Sequence, residues 1–326
     1  MKVVKMNNNI DIINQHIDTL DWSAEPQRLY QPIEYALSQG GKRIRPLLCL
    51  LATELFHGDK QLAIYPAIAL EMLHNFTLIH DDIMDNADLR RGQETVYKKW
   101  NTNIAILSGD TLFAKAYQYL LLYNGNYLPE LVALLTNTSI EICEGQQFDL
   151  DFEQQNDVFI DQYLSMTRLK TAVLLAACLK AGAIVSCASK QEQELIYDFG
   201  IKIGLAFQIQ DDLLDVYADV SKFGKNTGGD IAENKKTYMS LKAIELAQGD
   251  DVLQLQHYFS STDFNKEEKF MAVKAIYDKY QVKEHAQNLI LQYYNEAFVA
   301  LESIDKAQKD KQPLIDFINQ MVNRDY

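Results

Sequence analysis

Two short acidic segments carry the clearest chemistry in the chain. Asp81-Asp82-Ile83-Met84-Asp85 and Asp211-Asp212-Leu213-Leu214-Asp215 repeat one pattern, and each is embedded in an apolar helical period. At 3.6 residues per turn, Asp81 and Asp85 share a helix face, about 6 Å apart along the axis, and so do Asp211 and Asp215. Like charges at this spacing destabilise a helix by a few tenths of a kcal/mol, so two copies call for a cation. Mg²⁺ prefers carboxylate, water and phosphate oxygens, and it bridges protein carboxylates to substrate phosphates. One such motif alone is more often a solvated acidic face. Two near-identical copies flanked by large apolar residues shift the reading to metal binding. An EF-hand loop is excluded, because its sixth position needs glycine and holds Asn86.

Basic residues cluster close to both motifs. Gly40-Gly41-Lys42-Arg43-Ile44-Arg45-Pro46 joins a glycine break to three cations, a plausible phosphate cradle at a helix start. Arg90 and Arg91 follow the first motif, and guanidinium groups grip phosphate bidentately. After the second motif come Lys225, between glycines and polar residues, and then Lys235-Lys236. An acidic metal-binding face ringed by basic loops suits a polyanionic, metal-bound substrate.

Helices must position these groups. In the segment 67–85, Ala69, Met72, Leu73, Phe76, Ile79 and Ile83 recur at three- and four-residue steps, with Pro66 suited to the helix start. Similar periods cover roughly 44–56, 104–123, 128–148, 170–188, 192–219 and 283–303, with breaks at Gly40-Gly41, Gly58, Gly92, Gly125 and Gly224–Gly229. The pattern predicts one all-α domain over residues 1–326, a bundle of ten or more helices. Such a bundle can set the two motifs on facing helices around a central cavity.

Composition agrees. Of 326 residues, 48% are hydrophobic and 23% charged, enough apolar material for a core and incompatible with a disordered chain. Only 14 glycines and 6 prolines leave little material for many short strands. The net charge of −14 disfavours nucleic acid and anionic membranes as partners. The N-terminus lacks the apolar run of a signal peptide, and no run of about 18 apolar residues suggests membrane insertion. Cys49, Cys143, Cys178 and Cys187 form no CxxC pair and read as buried reduced thiols, which together with these absences predicts a cytoplasmic protein.

GGKRIRP (40–46), HNFTLIHDDIMDNADLRRG (74–92), TRLKT (167–171), GLAFQIQDDLLD (204–215) and FGKNTGGDIAENK (223–235) stand in this order and together resemble the trans-polyprenyl diphosphate synthase family. The resemblance implies an all-α prenyl synthase fold and a homodimer. It implies head-to-tail condensation of isopentenyl diphosphate with an allylic diphosphate (dimethylallyl, geranyl or farnesyl), with three Mg²⁺ ions. Carried over motif by motif, it implies that Lys42, Arg45, His74 and Arg91 bind isopentenyl diphosphate. Asp81 and Asp85 would hold two Mg²⁺ ions and Asp211 a third, with Asp215 in support. Arg90, Lys170, Lys225 and Lys235 would grip the allylic diphosphate, and Thr171 and Gln208 would line the reacting end. The loop between Lys225 and Lys235 is a residue longer than in some members, which makes Lys236 the neighbour to watch. The resemblance also implies that no His or Glu is needed as general base, since the released diphosphate can take the proton.

The growing hydrocarbon is expected to run toward the N-terminal end of the helix bearing Asp81. One isoprene unit is about one helical turn, roughly 5 Å. Leu73, Phe76 and Thr77, one to two turns before the motif, therefore set the floor. One aromatic at this place resembles short-chain synthases with C20 (geranylgeranyl) products, with C15 (farnesyl) close behind. The alternatives are a class I terpene cyclase, a non-catalytic subunit of a heteromeric synthase, or a helical scaffold. The cyclase would not need the second aspartate motif or GGKRIRP, and a non-catalytic subunit would be expected to lose one motif.

Overall fold

The computed structural model describes residues 2–155, 157–218, 228–261 and 263–322, and these are helical almost throughout. In chain order the helices are α1 (Lys2–Asp18), α2 (Gln27–Ser38), α3 (Ile44–Leu55), α4 (Lys60–Met84), α5 (Val96–Lys99), α6 (Thr102–Leu120), α7 (Leu128–Gln154), α8 (Ile160–Thr167), α9 (Val173–Val185), α10 (Lys190–Tyr217), α11 (Gly229–Ala232), α12 (Tyr238–Leu246), α13 (Asp250–Phe259), α14 (Lys266–Lys279), α15 (Val282–Glu302) and α16 (Gln308–Val322). A π-helical turn, Arg168–Ala172, joins α8 to α9. An antiparallel hairpin, β1 (Leu89–Arg90) and β2 (Gln93–Glu94), follows α4. The chain folds into two compact units, residues 1–139, 174–197 and 304–316 in the first, and 140–173, 198–303 and 317–326 in the second.

In the first unit, α4 packs against α3 and α6. Asp59 caps α4 by accepting the Gln61 N–H at 2.8 Å, so the helix starts at Lys60 and Pro66 lies inside it. This corrects the expected start at Pro66. The side-chain cap satisfies the first-turn donors earlier than the proline does, and apolar packing on every side tolerates the one missing backbone bond. By length and composition α4 could cross a membrane, but 67% of its most apolar window is buried within the protein. It is a core helix. The break at Gly92 is a hairpin rather than a plain loop. Arg91 (φ 55°) and Gly92 (φ 77°) supply the two left-handed residues that a two-residue type I′ connection requires.

In the second unit, α12 packs on α8, α14 and α15, and α11 packs on α14. Glycines let elements approach the π-turn closely. A Cβ at Gly204 would stand 2.5 Å from Ala172 Cα, and one at Gly145 would meet the Lys170 backbone. The four cysteines are free, but only Cys49 and Cys178 are buried. Cys143 lies on an exposed face of α7, and Cys187 occupies a left-handed position (φ 57°) in the turn after α9. The expectation of four buried thiols therefore holds for two.

Candidate active site

The first unit holds the DDIMD motif at the C-terminal end of α4. Asp85 caps the helix and donates its backbone N–H to the Asp81 carbonyl at 2.8 Å, so the two carboxylates stay one turn apart. Asp81 is half-buried and Asp85 exposed. Asp82 turns inward instead. It is 4% exposed, and one of its oxygens receives the Arg90 guanidinium through Nε and Nη2, both at 2.6 Å. Burial raises the Asp82 pKa, and Arg90 works against that rise. Arg90, expected to grip diphosphate, is thus anchored on the motif's middle aspartate, and only its remaining N–H donors are left for a ligand.

Arg91 reaches back to the glycine loop and donates to the Gly40 carbonyl. Its guanidinium lies so close to Gly41 that a Cβ there would be 2.8 Å from Nη1, and Gly41 adopts φ 138°. Only glycine fits both demands. Of the three cations that follow, Arg43 is buried, with its Nη1 2.9 Å from Glu71 and its Nη2 donating to the Leu37 carbonyl at 2.8 Å. It pins the loop to α4 and does not join the cradle. Lys42 is exposed and Arg45 half-buried. Arg45 Nη1 donates to His74 Nε2 at 2.9 Å. Burial foremost, then Arg45, Arg91, Arg90 and Arg43, hold the His74 pKa well below the usual histidine value. His74 is therefore neutral, accepting at Nε2 and carrying its proton on Nδ1. The guanidinium groups of Arg43, Arg45, Arg90 and Arg91 all act on His74, and a cluster of four such groups suits a phosphate-bearing ligand.

Seven and five positions before Asp81, His74 and Phe76 lie within one turn of α4 on different faces. Phe76 packs edge-on against His80 (centroids 4.7 Å apart) and against Phe113 of α6 (5.1 Å), and Phe113 meets Tyr117 (5.3 Å). The Thr77 hydroxyl donates to the His74 carbonyl at 2.8 Å, leaving its methyl group as the apolar surface. Leu73 has no exposed surface, so it backs the wall from the core and does not line it. Phe113 and Tyr117 were not picked out from the sequence. Their i, i+4 spacing on an apolar helix was the available signal.

The second unit contains an open cavity lined by Asp149, Tyr163, Met166, Thr167, Lys170, Thr171, Gln208, Asp212, Asp230, Lys235, Lys236 and Thr237. The π-turn delivers Lys170 and Thr171 to it, in keeping with the frequency of π-bulges at functional sites. Lys170 Nζ lies 2.5 Å from Asp149. The Thr171 hydroxyl donates to Gln208 Oε1 at 3.1 Å, and Gln208 Nε2 donates to Asp212 at 3.1 Å. Asp212 also accepts from the Tyr163 hydroxyl and, at 3.1 Å, from the Tyr238 N–H. These bonds lower its pKa, but burial outweighs them and pushes it up to about 6. Asp215 accepts the Asp230 N–H at 3.1 Å, and burial raises its pKa too. Burial, followed by Asp215 and Asp212, pushes Asp230 up to about 8. Asp211 is half-buried on α10. Lys235 and Lys236 both reach the cavity, so the neighbour of the expected lysine contributes as well. Lys225 lies outside the described residues.

Asp149, Asp230 and Tyr163 were not identified from the sequence. Asp230 stands in the quoted GGDIAENK segment, whereas Tyr163 and Asp149 carry no local signature. Among the described residues no three His, Cys, Asp or Glu side chains form a ready-made metal cluster. The donor set nonetheless fits a hard cation. Every candidate ligand is a carboxylate, and one of them, Asp215, lies beside Asp230, whose pKa is raised first by burial and then by Asp215 and Asp212. A divalent cation held by so few protein carboxylates would take its remaining oxygen ligands from water and substrate.

The polyprenyl synthetase family model matches residues 26–278. The chain belongs to the polyprenyl synthetase family. It is 41% identical to the short chain isoprenyl diphosphate synthase of Methanothermobacter thermautotrophicus over 285 residues, which cover 86% of each chain. It superposes on a solved geranylgeranyl pyrophosphate synthase with TM-score 0.93 at 41% identity, covering 98% of this chain and 99% of that one. A polyprenyl synthase from Caulobacter crescentus, solved with calcium and isoprenyl diphosphate, matches with TM-score 0.88 at 27% identity over 99% of this chain and 97% of that one. The chain is accordingly an all-α trans-prenyltransferase of the short-chain type, and the reading as a terpene cyclase falls away.

Proposed function

We propose that this enzyme condenses isopentenyl diphosphate with allylic diphosphates in the presence of Mg²⁺, giving an all-trans C20 product, with C15 as the next choice. The observation that carries the reading is the pairing of anion-binding and acidic groups in each unit. In the first, Arg45 and Arg91 act on a neutral His74 while Arg90 is held on Asp82, and in the second Lys170, Lys235 and Lys236 share a cavity with Asp212 and Asp230.

Lys42, Arg45 and Arg91 bind isopentenyl diphosphate, with His74 orienting the Arg45 guanidinium. Lys170 and Lys235, joined by Arg90 and Lys225, hold the allylic diphosphate. Asp81, Asp85, Asp211 and Asp215 would hold Mg²⁺, three ions per site, which when bound offsets the charge that builds on the departing diphosphate. The allylic C–O bond breaks and leaves a cation at the allylic carbon. Thr171 faces the cavity with its proton already donated to Gln208, so its oxygen lone pairs remain for that cation. The Gln208 amide is fixed in the required orientation by Asp212. The isopentenyl double bond attacks the cation, and the adduct loses a proton to the released diphosphate. Phe76, Phe113 and Tyr117 form the aromatic wall that limits the hydrocarbon.

We further propose that the enzyme is a homodimer. Ile106 and Leu107 on α6, with Leu121 and Leu122 just beyond it, expose apolar surface that a second copy can cover. Light scattering tests this, and a monomer at micromolar concentration refutes it. The activity is tested by product chromatography with dimethylallyl, geranyl and farnesyl diphosphates in turn. Mg²⁺-dependent C20 formation is expected. Products of C30 or longer, or no isopentenyl diphosphate consumption, overturn the proposal.

A further inference from the structure

Lys269 is buried on α14, at 1% exposure, in a protein whose other lysines lie mostly at the surface. Buried ammonium groups are rare unless paired. Its Nζ donates to the Asn234 side-chain oxygen, to the Ala232 carbonyl at 3.5 Å and to the Ser261 carbonyl at 3.3 Å. Two of these three acceptors belong to the short turn that begins with α11 and carries Asp230 and Lys235. Asn234 sits in that turn with a left-handed backbone (φ 60°), a conformation asparagine tolerates better than most residues. The next residue on α14 grips the other end of the same turn. The Phe270 ring lies against Gly228 (φ 86°), where a Cβ would come within 2.9 Å of Cε2. Tyr277, two turns along α14, is buried and feels the charges of Asp230, Asp215 and Asp212. One helix face thus underlies the whole turn.

We infer that Lys269 is a positioning residue for the reaction, clamping the 228–235 turn through Asn234 and Ala232 so that Asp230 and Lys235 are held toward the cavity. Its ammonium ties together two carbonyls and an amide oxygen. The inference rests on the proposed prenyl transfer for its kinetic consequence, but its structural content does not.

The test uses the full chain with Lys269→Met, which keeps the length of the side chain and removes its donors, and Asn234→Ala, which removes one acceptor. Hydrogen exchange in metal-free protein is expected to quicken by about tenfold or more across 229–236, with α15 unchanged. In steady-state assays the half-saturating Mg²⁺ concentration and the KM for allylic diphosphate should rise several-fold, while the KM for isopentenyl diphosphate stays put. Asn234→Asp, which keeps the acceptor, should restore wild-type values. Unchanged exchange over 229–236, an increase spread evenly over the second unit, or equal effects on both substrates overturns the inference. If the wild type fails to transfer prenyl groups, the function proposal fails, and the exchange result still decides the role of Lys269. Should Lys269→Met not fold, Asn234→Ala carries the same comparison.

Discussion

Asp230→Asn isolates the electrostatic state of the second acidic cluster. Asp230 is pushed from the ordinary aspartate value of 3.8 up to about 8, first by burial and then by Asp215 and Asp212. The folded, metal-free protein therefore retains a proton there that the unfolded chain has released. Stability must fall as pH rises through the window from about 4 to 8, with a slope of about 1.4 kcal/mol per pH unit for this one proton. Between pH 5 and 7 the loss amounts to about 2.5 kcal/mol. An uncharged amide of the same shape removes that contribution, so the variant should lose less stability over the window by a comparable amount. Urea denaturation of both proteins at pH 5, 6 and 7 in chelator reads the difference. Adding Mg²⁺ and inorganic diphosphate should restore the wild type most at the higher pH and help the variant little. If the two proteins lose stability in parallel from pH 5 to 7, Asp230 is ionised throughout and the crowding of carboxylates has been misread.

Other perturbations test the rest of the reasoning. His74 is held neutral by burial and by Arg45, so the folded state resists a proton that the unfolded state accepts. Stability should decline as pH falls below about 6.5, and His74→Asn should flatten that decline in acid denaturation curves. Gly204→Ala places a methyl group 2.5 Å from Ala172 Cα, which should lower stability by about 1–3 kcal/mol and, by shifting the π-turn that carries Lys170 and Thr171, reduce turnover as well. Asp81→Ala or Asp211→Ala should lower turnover by orders of magnitude with the circular dichroism spectrum intact, and full activity with Mg²⁺ in either variant would refute the metal assignment. Phe76→Ala opens the aromatic wall beside Phe113, and its products should be at least one five-carbon unit longer by chromatography.

Much of the architecture was legible because it depends on local periodicity. The apolar steps of three and four residues mark α3, α6, α10 and α15 to within about three residues and the start of α7, which runs on to Gln154 beyond the expected 148, since a helix buries whatever face the spacing supplies. The start of α4 was misjudged because a capping aspartate and a proline compete, and the choice between them depends on what packs around Pro66. The hairpin between α4 and α5 was invisible to periodicity, being only two residues to a strand.

For the site, spacing along one helix was enough to pair Asp81 with Asp85 and Asp211 with Asp215, and to put His74 on the side of the first motif. Residue type was enough to mark the cations. What sequence order could not decide is which charged groups are used up by one another. Arg43 is lost to Glu71, Arg90 is tied to Asp82, and Asp82 and Asp212 turn inward while their neighbours remain partly exposed. Nor could it show that Asp149 meets Lys170 or that Asp230 meets Asp215. Helical phase is a property of a few consecutive residues, whereas the protonation of His74 and Asp230 is set by charges and burial that come from distant parts of the chain. Those terms exist only once the tertiary fold has removed water from around them.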